Sequence, residues 1–150
     1  MIGTYSILLK CSKRFRLKLG CLGYVNVKRG HYVYTGSALG KGSTSLEGRI
    51  NRHRRRSKTI RWHIDYLTKR PEIHLEGSVY IYSRTRLECS INEALLEHLH
   101  GYPIARHAGA SDCRCPAHLF LVAEPTDGDL INQLGRVYAS FGRPIVDRYF

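Results

Sequence analysis

Between Tyr32 and Arg56 the chain reads YVYTGSALGKGSTSLEGRINRHRRR. Tyr32 and Tyr34 are two residues apart, so in a strand both phenols project to one face. Gly36, Gly40 and Gly42 then turn the chain into a segment carrying Arg49, Arg52, His53, Arg54, Arg55 and Arg56. Phenols at a strand end, followed by guanidiniums on the next helix, form a place to hold a phosphate. Arg49 and His53 are four apart and share a helix face, so both can reach one site. His53 there relays a proton or contacts phosphate; the alternative is a partly buried polar helix residue. Arg52, Arg54, Arg55, Arg56 and Lys58 are then expected to grip flanking phosphates.

Two further groups carry chemistry. Trp62-His63-Ile64-Asp65-Tyr66 places two aromatics and two titratable groups within five residues. Trp62 and Tyr66 either stack on an unpaired base or pack on the sheet, and packing is favoured for Trp62. His63 is expected to contact substrate, with Asp65 beside it. Cys113, Cys115 and His118 supply three ligands of the four that a structural zinc site needs. Cys89, Asp112 or His107 would have to supply the fourth. The alternative is a turn with reduced thiols that buttresses the site.

The elements that must position these groups follow from periodicity. Gly3–Lys10, Phe15–Leu19, Tyr24–Val27 and His31–Thr35 read as four strands with short connections, hence a largely antiparallel sheet. Thr44 and Glu47 have capping-box spacing, which predicts a helix from there to about Arg55. Its apolar side carries Leu46 and Ile50. Lys58–Leu67 reads as a second helix, stopped by Pro71. Leu75–Tyr82 is a strand. Arg86–His100 repeats Leu87, Ile91, Leu95 and Leu99 every four residues, as a helix does. His118–Ala123 closes the sheet and Asp127–Phe141 forms a last helix, whose Leu130, Leu134 and Tyr138 stripe closes the core or makes a dimer contact. The tail from Pro144 has no clear pattern. This mixed order predicts a single α+β domain, with a small mixed or antiparallel central sheet flanked by helices.

Composition bounds the partner. Lys and Arg number 24 against 12 acidic residues, a formal net charge of +12, which favours a polyanion. An anionic membrane fits less well, because the basic run lacks a broad apolar face, and no apolar run approaches the length of a spanning helix. The five cysteines are an odd number, with no secretion signal, which argues against a disulfide framework. Cys11, Cys21 and Cys89 read as small buried residues in a cytoplasmic protein.

Gly3-Thr4-Tyr5 and Tyr34-Thr35-Gly36 together resemble the paired signature of the GIY-YIG nuclease superfamily. The blocks Tyr32–Gly40, Arg52-His53, Trp62–Leu67, Glu88-Cys89, Ser111–Pro116 and His118–Phe120 resemble one branch of it, made of short, mostly archaeal proteins of unassigned function. The resemblance covers residues 1 to about 122. It divides the chain into a nuclease-like domain, 1–123, and a C-terminal helical extension, 124–150, packed on it. Two departures accompany it. The triplets lie far apart because Phe15–Leu19 and Tyr24–Val27 are inserted, and the asparagine that many members carry near the domain end has no clear counterpart.

The resemblance implies a metal-dependent endonuclease acting on single-stranded or branched DNA, with a possible place in DNA repair. Tyr5 would be the general base, Tyr34 would position the water, and Arg49 would bind the scissile phosphate. Glu88 would hold one Mg²⁺ or Mn²⁺, with Glu93 as its rival on the same helix. DNA ranks ahead of RNA as partner, and the protein is expected as a monomer or homodimer. The alternatives are a non-catalytic nucleic-acid-binding module and an RNA-directed nuclease.

Overall fold

In the computed structural model, which describes residues 1–105, 108, 117–123 and 129–149, the chain is built around one strand. This is β1 (Gly3–Cys11), buried along nearly its whole length. It pairs antiparallel with β4 (Gly30–Ala38) on one side and with β5 (Ile73–Tyr82) on the other. Short strands extend the sheet outward: β7 (Leu119–Leu121) and β6 (Tyr102–Pro103) beyond β4, and β8 (Ile145–Arg148) beyond β5. The order is β6-β7-β4-β1-β5-β8, and every described pairing is antiparallel. Hydrophobic and small side chains on both faces suit a central strand, while the exposed Val146, Asp147 and Arg148 suit an edge.

Each face of the sheet has its own core. Tyr5, Ile7, Leu9, Tyr32 and Tyr34 pack with Leu46 and Ile50 of α1 (Leu46–Arg54) and with Ile64 and Leu67 of α2 (His63–Thr68). Leu8, Val33, Val79 and Ile81 pack on the other face, against α3 (Glu88–His98) and α4 (Leu130–Ala139). The alternation along β1 thus sends odd residues to one core and even residues to the other. One small α+β domain results, as expected.

Several details differ from the sequence reading. β2 (Phe15–Lys18) and β3 (Tyr24–Val27) pair only with each other, as a separate ribbon. The reason is that β1 and β4 already pair over their full length, from Gly3↔Ala38 to Cys11↔Gly30. The ribbon instead lays Phe15, Leu17 and Val25 on the first core. The cap of α1 is Ser45, whose Oγ accepts from the Gly48 N–H at 3.1 Å; Thr44 belongs to the preceding 3-10 turn. Glu47 meets the N-terminal amine instead. The second helix starts at His63 rather than Lys58, because the Asp65 carboxylate collects the N–H groups of Arg61 and Trp62 and fixes the start there. The tail supplies β8, and the segment from Asp129 onward joins both the second core and the sheet edge.

Candidate functional site

β1 and β4 carry Tyr5 and Tyr34 on the α1 side of the sheet, with Gly36 directly across from Tyr5. A β-carbon on Gly36 would lie 2.8 Å from the Tyr5 hydroxyl and 3.3 Å from the Tyr34 ring. Only glycine leaves room for the two phenols to converge. Their ring centroids are 6.2 Å apart, and the His53 ring lies 5.5 Å from Tyr5 and 5.4 Å from Tyr34. The Tyr5 hydroxyl hydrogen-bonds His53 Nε2 at 2.7 Å.

Burial sets the protonation of this cluster. It holds Tyr5 protonated well above the ordinary phenol range, reinforced by Tyr34, while the Arg49 charge works in the opposite sense. Tyr34 is pushed up by burial and then by Glu88, again opposed by Arg49. His53 is pushed down to about 3 by burial, then by the Lys58 charge, so it is neutral. Tyr5 is fully buried, whereas Tyr34 retains 6% exposure. Both phenols are thus buried, Tyr34 slightly less completely than Tyr5.

The arginines of α1 part company. Arg49 and Arg52 both lie over Trp62, their guanidinium carbons 5.0 and 4.5 Å from its ring centre. Arg52 is locked by Asp65, with nitrogens 2.7 and 2.9 Å from the two carboxylate oxygens, and also donates to the Thr59 carbonyl. Burial raises the Asp65 carboxyl, but Arg52 and the two backbone N–H groups outweigh it and leave the net shift downward. Arg49 forms no ion pair among the described residues, and its buried Nε has no hydrogen-bond partner. One guanidinium is spent on the fold and the other is available.

The other residues expected on phosphates differ in how far the fold engages them. Arg52 is held in the fold by its pair with Asp65. Lys58 Nζ donates to the Arg52 and His53 carbonyls at 3.1 Å each and closes the end of α1, and burial lowers its pKa to about 8. Arg56 donates to the Arg70 and Ile73 carbonyls. Arg54 stacks on Tyr149 at 4.0 Å. Arg55 is exposed, and His63 is half-buried with its pKa lowered by burial.

Glu88 opens α3 from the other face and is 22% exposed. Its Oε2 lies 3.7 Å from His118 Nδ1, and Arg86 approaches Oε1 at 3.9 Å. Glu93 is exposed on the same helix. His118 Nε2 is 3.7 Å from the Cys89 sulfur. Cys113 and Cys115, together with Asp112 and His107, lie outside the described residues. Among the described residues, no cluster of three or more His, Cys, Asp and Glu could hold a metal. A single oxygen donor at Glu88 suits a hard cation that keeps most of its waters.

Two further residues border the candidate site. Half-buried Trp62, for which the sequence favoured packing on the sheet, lies under both guanidiniums. Asn92, one turn beyond Glu88, donates to the Ala117 carbonyl at 2.6 Å and so ties α3 to the strand entry at His118. The i,i+4 relation to Glu88 was the one available hint. A cavity of about 620 Å³ lies elsewhere, among Arg54, Arg56, His74 and Tyr149, and contains none of Tyr34, Arg49 and Glu88.

No helix among the described residues is long and apolar enough to cross a membrane. No curated protein and no solved structure matches the chain. A family model described as Domain of unknown function DUF123 matches residues 4–139, and the chain belongs to that family.

Proposed function

We propose that this protein is a metal-dependent endonuclease of GIY-YIG type that hydrolyses phosphodiester bonds in single-stranded or branched DNA. The observation that carries the reading is Arg49: a guanidinium with an unpartnered buried Nε and no carboxylate among the described residues, held beside Tyr34. A half-buried guanidinium without an ion-pair partner among the described residues is a receptor for an anion.

In this reading Arg49 binds the scissile phosphate and offsets charge that builds on its oxygens. Tyr34 orients the attacking water. Its 6% exposure, against none for Tyr5, puts it nearer the arriving water, and Arg49 opposes, without cancelling, the upward push of burial on its hydroxyl. Water oxygen forms the new P–O bond, the bond to the leaving alkoxide breaks, and that alkoxide takes up a proton. Tyr5 and His53 are positioning residues: His53 fixes the Tyr5 hydroxyl at 2.7 Å, and Tyr5 in turn lies against Tyr34. Glu88 would hold one Mg²⁺ or Mn²⁺ through its carboxylate. Such an ion, when bound, supplies further charge neutralisation at the phosphoryl group. Cys11 and Cys21 are free thiols, in keeping with a reducing, cytoplasmic setting. A role in DNA repair fits a cutter of branched strands, as monomer or homodimer.

The test incubates the purified protein with labelled single-stranded and branched DNA, and with RNA, in Mg²⁺ or EDTA. Cleavage should need Mg²⁺. Arg49→Ala should lower the rate by about 10²–10³-fold, the loss typical for one charge-stabilising donor, and Glu88→Gln should abolish it, both with folding retained. An unchanged rate in either variant overturns the site assignment. Salt-sensitive binding without cleavage of any substrate would favour a second reading, a non-catalytic binding module. The complete burial of Tyr5 favours that reading. Preferential cleavage of RNA would favour a third.

A further inference from the structure

The first 46 residues contain no Asp or Glu, yet carry eight Lys and Arg. Six of these eight belong to the β2–β3 ribbon and its open end: Lys13, Arg14, Arg16, Lys18, Lys28 and Arg29, all exposed. The register pairs Phe15 with Val27, Arg16 with Asn26, Leu17 with Val25 and Lys18 with Tyr24. Phe15, Leu17, Val25 and Val27 therefore face the core, and Arg16, Lys18, Tyr24 and Asn26 face outward. Lys13, Arg14, Lys28 and Arg29 gather at the end where Phe15 meets Val27. None of the six forms an ion pair among the described residues. Glu72, whose carboxylate feels Lys13, is already held by Arg70 at 2.8 Å.

A surface this one-sided is costly for a fold to carry without a partner, because like charges repel. The ribbon does not need the charge for packing, which its inner face supplies. Its outer face is about 13 Å long, four residues at strand rise. Duplex DNA presents one phosphate charge per about 1.7 Å, and a two-stranded ribbon is narrow enough for the major groove, about 12 Å wide. Single strands are held chiefly by stacking on open aromatic faces. Here the outward aromatic is Tyr24, and the Arg16 guanidinium already lies 4.7 Å over its ring. The ribbon is thus equipped for phosphates rather than for bases.

Its position also fits. The turn joining the two strands packs against α2: a β-carbon on Gly20 would lie 3.1 Å from the Tyr66 hydroxyl. Trp62, immediately before α2, carries the Arg49 guanidinium. The ribbon stands on the element that supports the phosphate-binding arginine.

We infer that the outward face of the β2–β3 ribbon is a docking surface for double-stranded DNA, gripping the duplex that flanks the scissile phosphate. This rests on the nucleic-acid reading given above and extends it to a second, separate surface.

The test measures binding apart from cutting. A fluorescent 20-base-pair DNA is titrated with the full chain in EDTA at several salt concentrations, alongside a 20-nucleotide single strand and anionic vesicles. The double variant Arg16→Ala/Lys18→Ala should bind the duplex at least tenfold more weakly. The slope of log K against log salt should fall by about 2, since each phosphate no longer neutralised removes about 0.9. The charge-retaining pair Arg16→Lys/Lys18→Arg should bind like the wild type. Single-strand binding should change far less. Unchanged duplex affinity and slope in a folded alanine variant overturn the proposal, as does an equal loss in the charge-retaining pair. An equal effect on single strands, or binding confined to vesicles, overturns it too. Cleavage activity with ribbon-independent binding would sink the ribbon and spare the nuclease. Ribbon-dependent duplex binding without any cleavage would do the reverse.

Discussion

On one face of the β1–β4 ladder, Ser6 bridges Thr35 and Tyr138 in a chain of hydrogen bonds that leaves none of the three hydroxyls without a partner. Ser6 Oγ lies 2.6 Å from Thr35 Oγ1 and 2.7 Å from the Tyr138 hydroxyl. On the other face, Tyr5, Tyr34 and His53 form a chain that does leave such gaps: His53 Nδ1 and Arg49 Nε are buried without partners. Both faces bury polar groups beside the same two strands, at adjacent positions Tyr5-Ser6 and Tyr34-Thr35. The first network ties α4 to the sheet through Tyr138 and has a partner for each of its hydroxyls. The second carries unpaired buried groups, which cost free energy, and in the proposed reading Arg49 is the one of them with a charge to offer a ligand; Thr4 Oγ1 and Ser37 Oγ, a register pair on the first face, are unpaired too but neutral. The contrast recurs within α1. Arg52 has its carboxylate and Arg49 does not, although both rest on the same indole.

The largest expected effect tests the paired side of that second contrast. Asp65→Ala strands Arg52, which is only 11% exposed, and also frees the N–H groups of Arg61 and Trp62. Stability should fall by about 3–5 kcal/mol in urea denaturation, as when one partner of a buried ion pair is removed. Arg49→Ala should cost less than about 1 kcal/mol, since only its stacking on Trp62 is lost. Equal losses in the two variants would break the distinction between a structural and an available guanidinium.

The next effect concerns the open chain and its pH dependence. Folded His53 titrates near 3 because it is buried, while an unfolded histidine titrates near ~6.5. The folded state thus gains from the neutral form above about pH 6.5. As pH falls below that, the unfolded state binds a proton that the folded state refuses. Stability then drops by up to about 1.4 kcal/mol per pH unit until the folded pKa is reached. At pH 5 this one residue should have cost about 2 kcal/mol. His118 and His63, also lowered by burial, add a slope of the same sign. His53→Gln isolates its share: the difference in stability between pH 7 and pH 5 should shrink by that amount. An unaltered difference would mean that His53 is protonated in the fold, and the open chain would then carry a charge.

These contrasts were unevenly legible in the sequence. The strands β1 and β4 and the helix α1 follow from alternation and from Gly and Ser placement, which act over a few residues. That brought Tyr34, Arg49 and His53 into one neighbourhood, and the tyrosine triplets added Tyr5. The Arg52–Asp65 pair was hidden because its members lie 13 residues apart across a turn, and no local rule chooses Asp65 over solvent. The separate β2–β3 ribbon was hidden for a related reason. Four alternating strands look alike until the full-length β1–β4 register excludes the middle two. β8 was missed because an edge strand of four residues, mostly exposed, has no inward stripe to betray it. Tyr138 showed its apolar stripe, but not that its hydroxyl reaches a serine 132 residues earlier.

The smallest expected effect tests the Ser6-centred chain through that hydroxyl. Tyr138→Phe keeps the ring in the second core and removes one donor. Ser6 and Thr35 retain each other, so neither is left without a partner. The loss should therefore stay near the net worth of a single hydrogen bond, about 1 kcal/mol, read as a shift in the urea midpoint at unchanged slope. Because Ser6 and Thr35 point away from Tyr5 and Tyr34, DNA cleavage and duplex affinity should not move. A substantial loss of either, in a variant that remains folded, would show that the two faces are coupled through the strand pair. The Ser6-centred chain would then be part of the site's positioning rather than a separate anchor for α4.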